Sequence, residues 1–287
     1  SKVSYKIITR NELGVFYRNQ SRYSEALALH NESLVIATQI RDTKSIAISS
    51  NNIGVVYRRL DDPSKAIEYH LKALKYSEEA KDTYSSSVAI NSLGNIFLVN
   101  GNFEQALSYF FKGLELSQKQ NNLLGIAINY NNIGEVYEFS ENYEKAKEYY
   151  TKSLDINKKL NNEKGIAIGL NSIGKTLLFT GFPKTAYKYF TEASIIDKKI
   201  GDKHFITESY VNLGRALVML KRYDEAKQCL NQAIKIAEEI KYKYYLQIAN
   251  AEFSKIYSDY RDFDRALEYY KKSTLYKDSV LNEKSTK

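Results

Sequence analysis

NNIGEVYEFSENYEKAKEYYTKSL, residues 131–154, carries two helical signals with a short polar stretch between them. Gly134 stands three residues before Tyr137, and Ala146 stands four before Tyr150, spacings that put each pair on one face of a helix. The pattern recurs along the chain. Gly14, Gly54, Gly94, Gly134, Gly174 and Gly214 fall 40 residues apart without slippage, and so do Ala26, Ala66, Ala106, Ala146, Ala186, Ala226 and Ala266. Tyr17, Tyr57, Phe97, Tyr137, Leu177, Leu217 and Tyr257 keep the same interval. Such strict phase marks a repeat architecture.

Within the first unit, Leu13 and Tyr17 mark one helix of roughly 15 residues, and Ala26, Leu27, His30, Leu34 and Ala37 mark a second. A polar turn separates them, "NQSR" in the first repeat and "LDDP" in the second. Each repeat is therefore expected to be a helical hairpin, with Gly14 and Ala26 small so that the two backbones approach closely. One hairpin cannot bury its apolar surface alone, so neighbours must stack. The expected fold class is all-α, a right-handed superhelical solenoid of seven hairpins with a concave inner face.

Composition agrees with a folded helical chain. Of 287 residues, 43% are hydrophobic and 26% charged, and only two are proline. No run of about 18 apolar residues suggests a membrane span. Cys229 is the only cysteine, which excludes an intramolecular disulfide and a cysteine-based zinc site. The net charge of +8 raises nucleic-acid binding as a possibility. Lysine pairs at 158–159, 198–199 and 271–272 are scattered, however, and the many tyrosines occupy repeat positions that demand packing. Solvated outer faces are the preferred explanation. The start at Ser1-Lys2 and the polar ending "YKDSVLNEKSTK" suggest an excised fragment, with 281–287 leading toward a further segment.

The spacing of Gly134, Tyr137, Ala146 and Tyr150 resembles the tetratricopeptide repeat family, in a 40-residue variant where the usual period is nearer 34. The resemblance implies one array over 1–280, with repeats at about 5–40, 45–80, 85–120, 125–160, 165–200, 205–240 and 245–280. The extra residues are expected to lengthen the second helix and the turn after it. Similar long repeats occur in Rap-type peptide receptors and in the sensory regions of Bacteroidetes histidine kinases and related regulators, and the closing segment resembles the latter. That resemblance implies a non-enzymatic, peptide- or protein-binding module of a bacterial signalling protein, periplasmic or cytoplasmic. Ligand bound across several repeats would bias the array's pitch and be felt at its last helix. The alternative is a scaffold that self-associates or assembles partners through outer or end surfaces.

Candidate contact residues follow from helix geometry, since positions i, i+4 and i+7 share a face. The first five repeats give Asn11, Val15, Arg18; Asn51, Val55, Arg58; Asn91, Asn95, Leu98; Asn131, Glu135, Glu138; and Asn171, Lys175, Leu178. Family resemblance puts this stripe on the concave surface. A carboxamide can pair with both the C=O and the N–H of an extended peptide. With inner helices about 8–10 Å apart and about 3.3 Å per residue of strand, successive asparagines would meet every third ligand residue. Arg18, Arg58, Asn95, Glu135, Lys175 and Arg215 would then set specificity. A basic wall of Lys175, Arg215 and Lys255 favours an acidic peptide or a free C-terminal carboxylate. The competing reading is that these asparagines fasten one repeat to the next, as Asn52, Asn132 and Asn212 are expected to do. His30 and His70 are expected to be packed core residues. No catalytic, metal-ligating or phosphate-binding motif is present, and no cofactor is expected.

Overall fold

The computed structural model describes residues 2–285. Among the described residues there are fourteen helices and no strand. The chain divides into two compact units, one up to Asn129 and one from Tyr130. The first contains α1 (Lys2–Asn19), α2 (Tyr23–Gln39), α3 (Thr43–Arg59), α4 (Pro63–Glu79), α5 (Thr83–Val99), α6 (Phe103–Lys119) and the opening turns of α7 (Leu123–Phe139). The second contains the rest of α7 and then α8 (Tyr143–Lys159), α9 (Glu163–Phe179), α10 (Pro183–Ile200), α11 (Lys203–Met219), α12 (Tyr223–Glu239), α13 (Lys243–Asp259) and α14 (Phe263–Ser285). Of the polar extension expected at 281–287, residues 286 and 287 lie outside the described residues, and the remainder continues α14.

The longer period does not lengthen the second helix alone. From α3 to α6 every helix has 17 residues, odd and even alike. The turns explain this equality. A residue with positive φ recurs every twenty residues, from Ser21 (φ 60°) through Arg41, Asp61 and Lys81 to Arg261 (φ 59°). At the second of these turns, the Asp42 N–H bonds the Ala37 carbonyl at 3.0 Å and the Arg41 N–H bonds the Thr38 carbonyl at 3.2 Å. This is the paired closure that satisfies the last carbonyls of a helix. Asp42 also starts the next helix, its carboxylate accepting from the Ser45 N–H. Asp62, Asp82, Asn102, Asn142, Asn162 and Asp202 repeat that cap. At these turns one acidic or amide residue thus closes one helix and opens the next; Arg22, Phe182, Arg222 and Tyr242 hold the same place without a side-chain cap.

The glycine notch has a different occupant from the one expected. A Cβ at Gly134 would come within 2.7 Å of the Tyr150 ring, and one at Gly54 within 2.8 Å of His70. The same relation links Gly14 to His30, Gly94 to Phe110, Gly174 to Phe190 and Gly214 to Leu230. Each glycine therefore admits the side chain sixteen residues on, rather than only a close approach to the alanine twelve residues on. Those side chains are almost wholly buried, and so are the alanines. Rings complete the hairpins: Tyr57 stacks on Tyr69 with centroids 5.6 Å apart, Phe97 on Tyr109 at 5.5 Å, and Tyr137 on Tyr149 at 5.5 Å.

Odd-numbered helices also touch the next odd-numbered helix, α1 with α3 and α3 with α5 in the first unit, α9 with α11 and α11 with α13 in the second. Even-numbered helices make no comparable contact among the described residues. In each unit the odd helices therefore line the inner side, where the candidate residues lie.

Candidate functional site

The asparagines diverge once their partners are seen. Asn11 is buried, its Nδ2 donating to Ser49 Oγ at 3.0 Å while its Oδ1 receives His30 Nδ1 at 2.9 Å and Asn52 Nδ2 at 3.4 Å. Asn51 repeats the arrangement, donating to the Ser85 carbonyl at 3.2 Å and receiving His70 Nδ1 at 3.1 Å. Asn171, 3% exposed, donates to Asp197 Oδ2 and receives Asn212 Nδ2, both at 3.4 Å. At these three positions the amide fastens its own repeat to the next. Asn52 and Asn212 are fasteners as expected.

His30 and His70 are fully buried, and each ring hands its Nδ1 proton to the asparagine of its own hairpin. Burial, aided by the Arg18 charge for His30 and the Arg58 charge for His70, holds both pKa values down at about 4. The rings are therefore neutral at pH 7. The Nε2 atom of each is buried without a hydrogen-bond partner. Replacing Asn51 with alanine should destabilise the chain by about 1–3 kcal/mol, because the His70 N–H loses its acceptor inside the core. A urea titration followed by circular dichroism measures this, and an unchanged midpoint would contradict the fastening role.

Asn131 behaves differently. Its Oδ1 is buried and accepts no hydrogen bond. The equivalent of the two histidines is Tyr150, whose hydroxyl donates instead to Glu138 Oε2 at 2.6 Å. Asn131 borders a polar cleft of about 370 Å³ on the inner side of the second unit, together with Glu135, Lys175, Phe179, Glu208 and Arg215. Asn91 is half-buried and borders a separate groove in the first unit with Tyr84, Val88, Leu124 and Ile128. Asn95 is half-buried on the same helix as Asn91.

The basic wall expected in the second unit is a mixed-charge surface. Lys175 Nζ lies 3.7 Å from Glu208, Arg215 lies 3.8 Å from Glu252, and Lys255 lies 2.7 Å from the same Glu252, which is only 4% exposed. Burial raises the Glu135 carboxyl above its usual range; Lys175 works against that, while Glu138 and Glu208 add to it. Burial opposes the charge on Lys175, but Glu208, Glu138 and Glu135 outweigh it and raise the ammonium pKa. Arg215 also sits 5.8 Å over the Phe179 ring. Each cation is thus answered by a glutamate of this chain, so the acidic-ligand expectation loses its basis at Lys175, Arg215 and Lys255. Glu208 and Glu252 were not among the expected site residues. Glu208 stands three residues before the asparagine-equivalent position of its repeat, where the other repeats have Ile8, Ile48, Val88, Ile128, Ile168 and Ile248.

Arg18 and Arg58 lie in the first unit, at the last turns of α1 and α3, and Arg59 lies beside Arg58. Burial and the neighbouring guanidinium charges lower the pKa of both Arg18 and Arg58. The inner side of the first unit is thus an aliphatic surface edged by arginines, and that of the second unit holds a polar cleft of opposed charges. No group of three or more histidine, cysteine or carboxylate side chains placed to hold a metal occurs among the described residues, and no described helix is long and apolar enough to cross a membrane.

The Tetratricopeptide repeat family pattern matches residues 5–79, 84–159 and 165–239. No curated protein matches the chain in sequence. Among solved structures, the apo form of RapI superposes with a TM-score of 0.78 at 18% identity, covering 96% of this chain and 99% of RapI. The apo form of the quorum sensor NprR from B. thuringiensis gives 0.77 at 19% identity, over 96% of this chain and 77% of NprR. The Rap conjugation gene regulator of the plasmid pLS20, in complex with the Phr* peptide, gives 0.66 at 17% identity, over 98% of this chain and 76% of the regulator. At these identities the likeness is one of fold.

Proposed function

The chain belongs to the tetratricopeptide repeat family, and from that premise we propose that it is a non-enzymatic peptide-binding module of a bacterial signal-transduction protein, with the polar cleft of the second unit as its ligand site. The observation that carries this reading is Asn131. A buried carbonyl oxygen without a donor is costly, and this one borders a cleft of about 370 Å³ on the inner side. A peptide N–H entering the cleft supplies the missing donor. The solved relatives with bound peptide, such as the pLS20 regulator with Phr*, lend support at the level of fold.

Charge shapes the expected ligand. Glu135, Glu138 and Glu208 face Lys175 and Arg215 in the cleft, so a peptide carrying both signs of charge meets partners that a uniformly acidic one does not. In operation, Lys175 and Arg215 would exchange their glutamate neighbours for ligand carboxylates, while Glu135 would take a ligand cation. That exchange restores the ordinary ionisation of Glu135, which burial otherwise opposes.

A displayed library of random linear peptides, panned on the full chain, tests this. Selected peptides, labelled and measured by fluorescence anisotropy, should bind Lys175→Glu at least about tenfold more weakly than the parent, a change of about 1.4 kcal/mol. Asn131→Ala should weaken them to a lesser degree. If selected peptides ignore both substitutions, the cleft is not the site; if panning yields no binder, the peptide-binding reading falls.

A further inference from the structure

The first unit offers a second surface, of different chemistry. On α1, Ile8, Asn11, Val15 and Arg18 follow one another along a single face, and on α3 Ile48, Asn51, Val55 and Arg58 do the same. The two asparagines fasten their own repeats to the next, so neither offers its amide to an extended backbone. What remains on the surface is aliphatic. Ile8 is 53% exposed and Ile48 36%, and with Val15 they border a groove of about 370 Å³ that has Glu12 at its α1 edge. The aliphatic row continues through Val88 to Ile128, beside the exposed Tyr84 and Leu124.

The dimensions select a shape. Seven residues of helix separate Ile8 from Val15, about 10 Å at 1.5 Å per residue, and Arg18 lies about 15 Å along. An apolar floor about 10 Å wide matches the 10–12 Å diameter of an α-helix. A strand would need backbone partners that this floor does not present. Along one edge, Arg18, Arg58 and Arg59 lie close enough for their charges to act on one another and find no carboxylate partner among the described residues; Arg18 donates only to Asn19 Oδ1, at 3.4 Å. Three guanidinium groups crowded without a counter-charge form a strong local demand for anions.

We propose that the inner face of the first unit docks an amphipathic α-helix of a partner protein, aliphatic where it meets Ile8, Val15, Ile48 and Val55 and acidic along the edge that meets Arg18 and Arg58. This surface is independent of the polar cleft. A helix lying across α1 and α3 covers the Ile–Val floor with residues spaced i, i+3, i+4 and i+7, and its flanking glutamates reach the guanidinium groups.

Three labelled 18-residue peptides test it on the full chain by fluorescence anisotropy. One is a leucine-faced helix flanked by glutamate, one replaces every glutamate with lysine, and one keeps the glutamates but carries two central prolines. The glutamate-flanked helix should bind at least about tenfold more tightly than either of the others. Ile48→Glu should remove most of that binding, and so should Ile8→Glu, both at exposed positions that leave folding intact. Arg18→Glu with Arg58→Glu should invert the preference toward the lysine-flanked helix. Lys175→Glu should leave all three affinities unchanged, which keeps this test separate from that of the polar cleft. Equal binding of the two helices, equal binding of the proline-broken peptide, no binding at all, or affinity that survives Ile48→Glu would each overturn the proposal. Self-association of the chain that Ile48→Glu abolishes would assign the face to a second copy and overturn it equally.

Discussion

Acidification from pH 7 to pH 4 should destabilise the protein by several kcal/mol, and replacing His30 and His70 with phenylalanine should remove most of that loss. Both rings are fully buried, and their folded-state pKa values lie at about 4 against an ordinary 6.5. Between those values the unfolded chain takes up protons that the native protein excludes. Stability is therefore full above pH 6.5, falls as pH drops toward 4, and loses nothing further from these groups below that. Holding a ring at about 4 rather than 6.5 corresponds to about 3 kcal/mol for each histidine. The structure shows why the proton is excluded: Nδ1 already donates to the asparagine, and Nε2 has no acceptor within the core. Phenylalanine fits the same place, since Phe110 and Phe190 fill it in other repeats. At pH 7 the double variant forfeits two histidine–asparagine hydrogen bonds, about 1 kcal/mol each. Urea midpoints at half-unit pH steps would decide the matter, and parallel profiles for variant and parent would refute it.

The histidines also show where reading the sequence stops. The 40-residue recurrence of glycine and alanine was sufficient for the all-α class and the hairpin unit, because packing at those positions tolerates so few side chains. The 17-residue helices from α3 to α9 were equally written in the chain, in the aspartates and asparagines that recur at twenty-residue steps from Asp42 to Asn162, a series that Phe182 breaks before Asp202 resumes it. They signal caps by their chemistry. The direction of each inner asparagine was not legible in the same way. Whether Asn51 faces a ligand depends on residue 70 being a donor and on residue 85 offering a carbonyl. Asn131, identical in local sequence, differs because Tyr150 prefers Glu138. Lys175, Arg215 and Lys255 look like a free wall in sequence for the same reason, since their partners Glu208 and Glu252 lie outside the asparagine stripe. Periodicity reports what every repeat shares, whereas a site is made by what one repeat changes.

Gly134→Ser should cost about 3 kcal/mol, with Tyr150 driven out of the core as the cause. A serine Cβ would stand 2.7 Å from Cδ1 and 2.8 Å from Cε1 of that ring, closer than real carbon contacts. The helix on either side is fixed by its turns, so the ring must move. Helix propensity favours serine over glycine by about half a kcal/mol, too little to offset the lost packing. The chain contains its own precedent. In the seventh repeat Ser254 occupies the glycine position, with its hydroxyl donating to the Ala266 carbonyl at 2.8 Å, and the matching ring, Tyr270, is 61% exposed. Tyr150→Ala separates packing from backbone effects: adding Gly134→Ser to it should cost well under 1 kcal/mol, leaving a coupling of about 2 kcal/mol in the double-mutant cycle. Gly101→Asn supplies the contrast, because φ there is 74° and nothing lies within 4 Å of an added Cβ. Ten other residues, Asn121 and Asn161 among them, hold the same left-handed turn without glycine, so that substitution should cost no more than about 1 kcal/mol. Equal losses at Gly134 and Gly101, or additive losses for Gly134→Ser and Tyr150→Ala, would show that backbone conformation rather than the ring explains the glycine repeat.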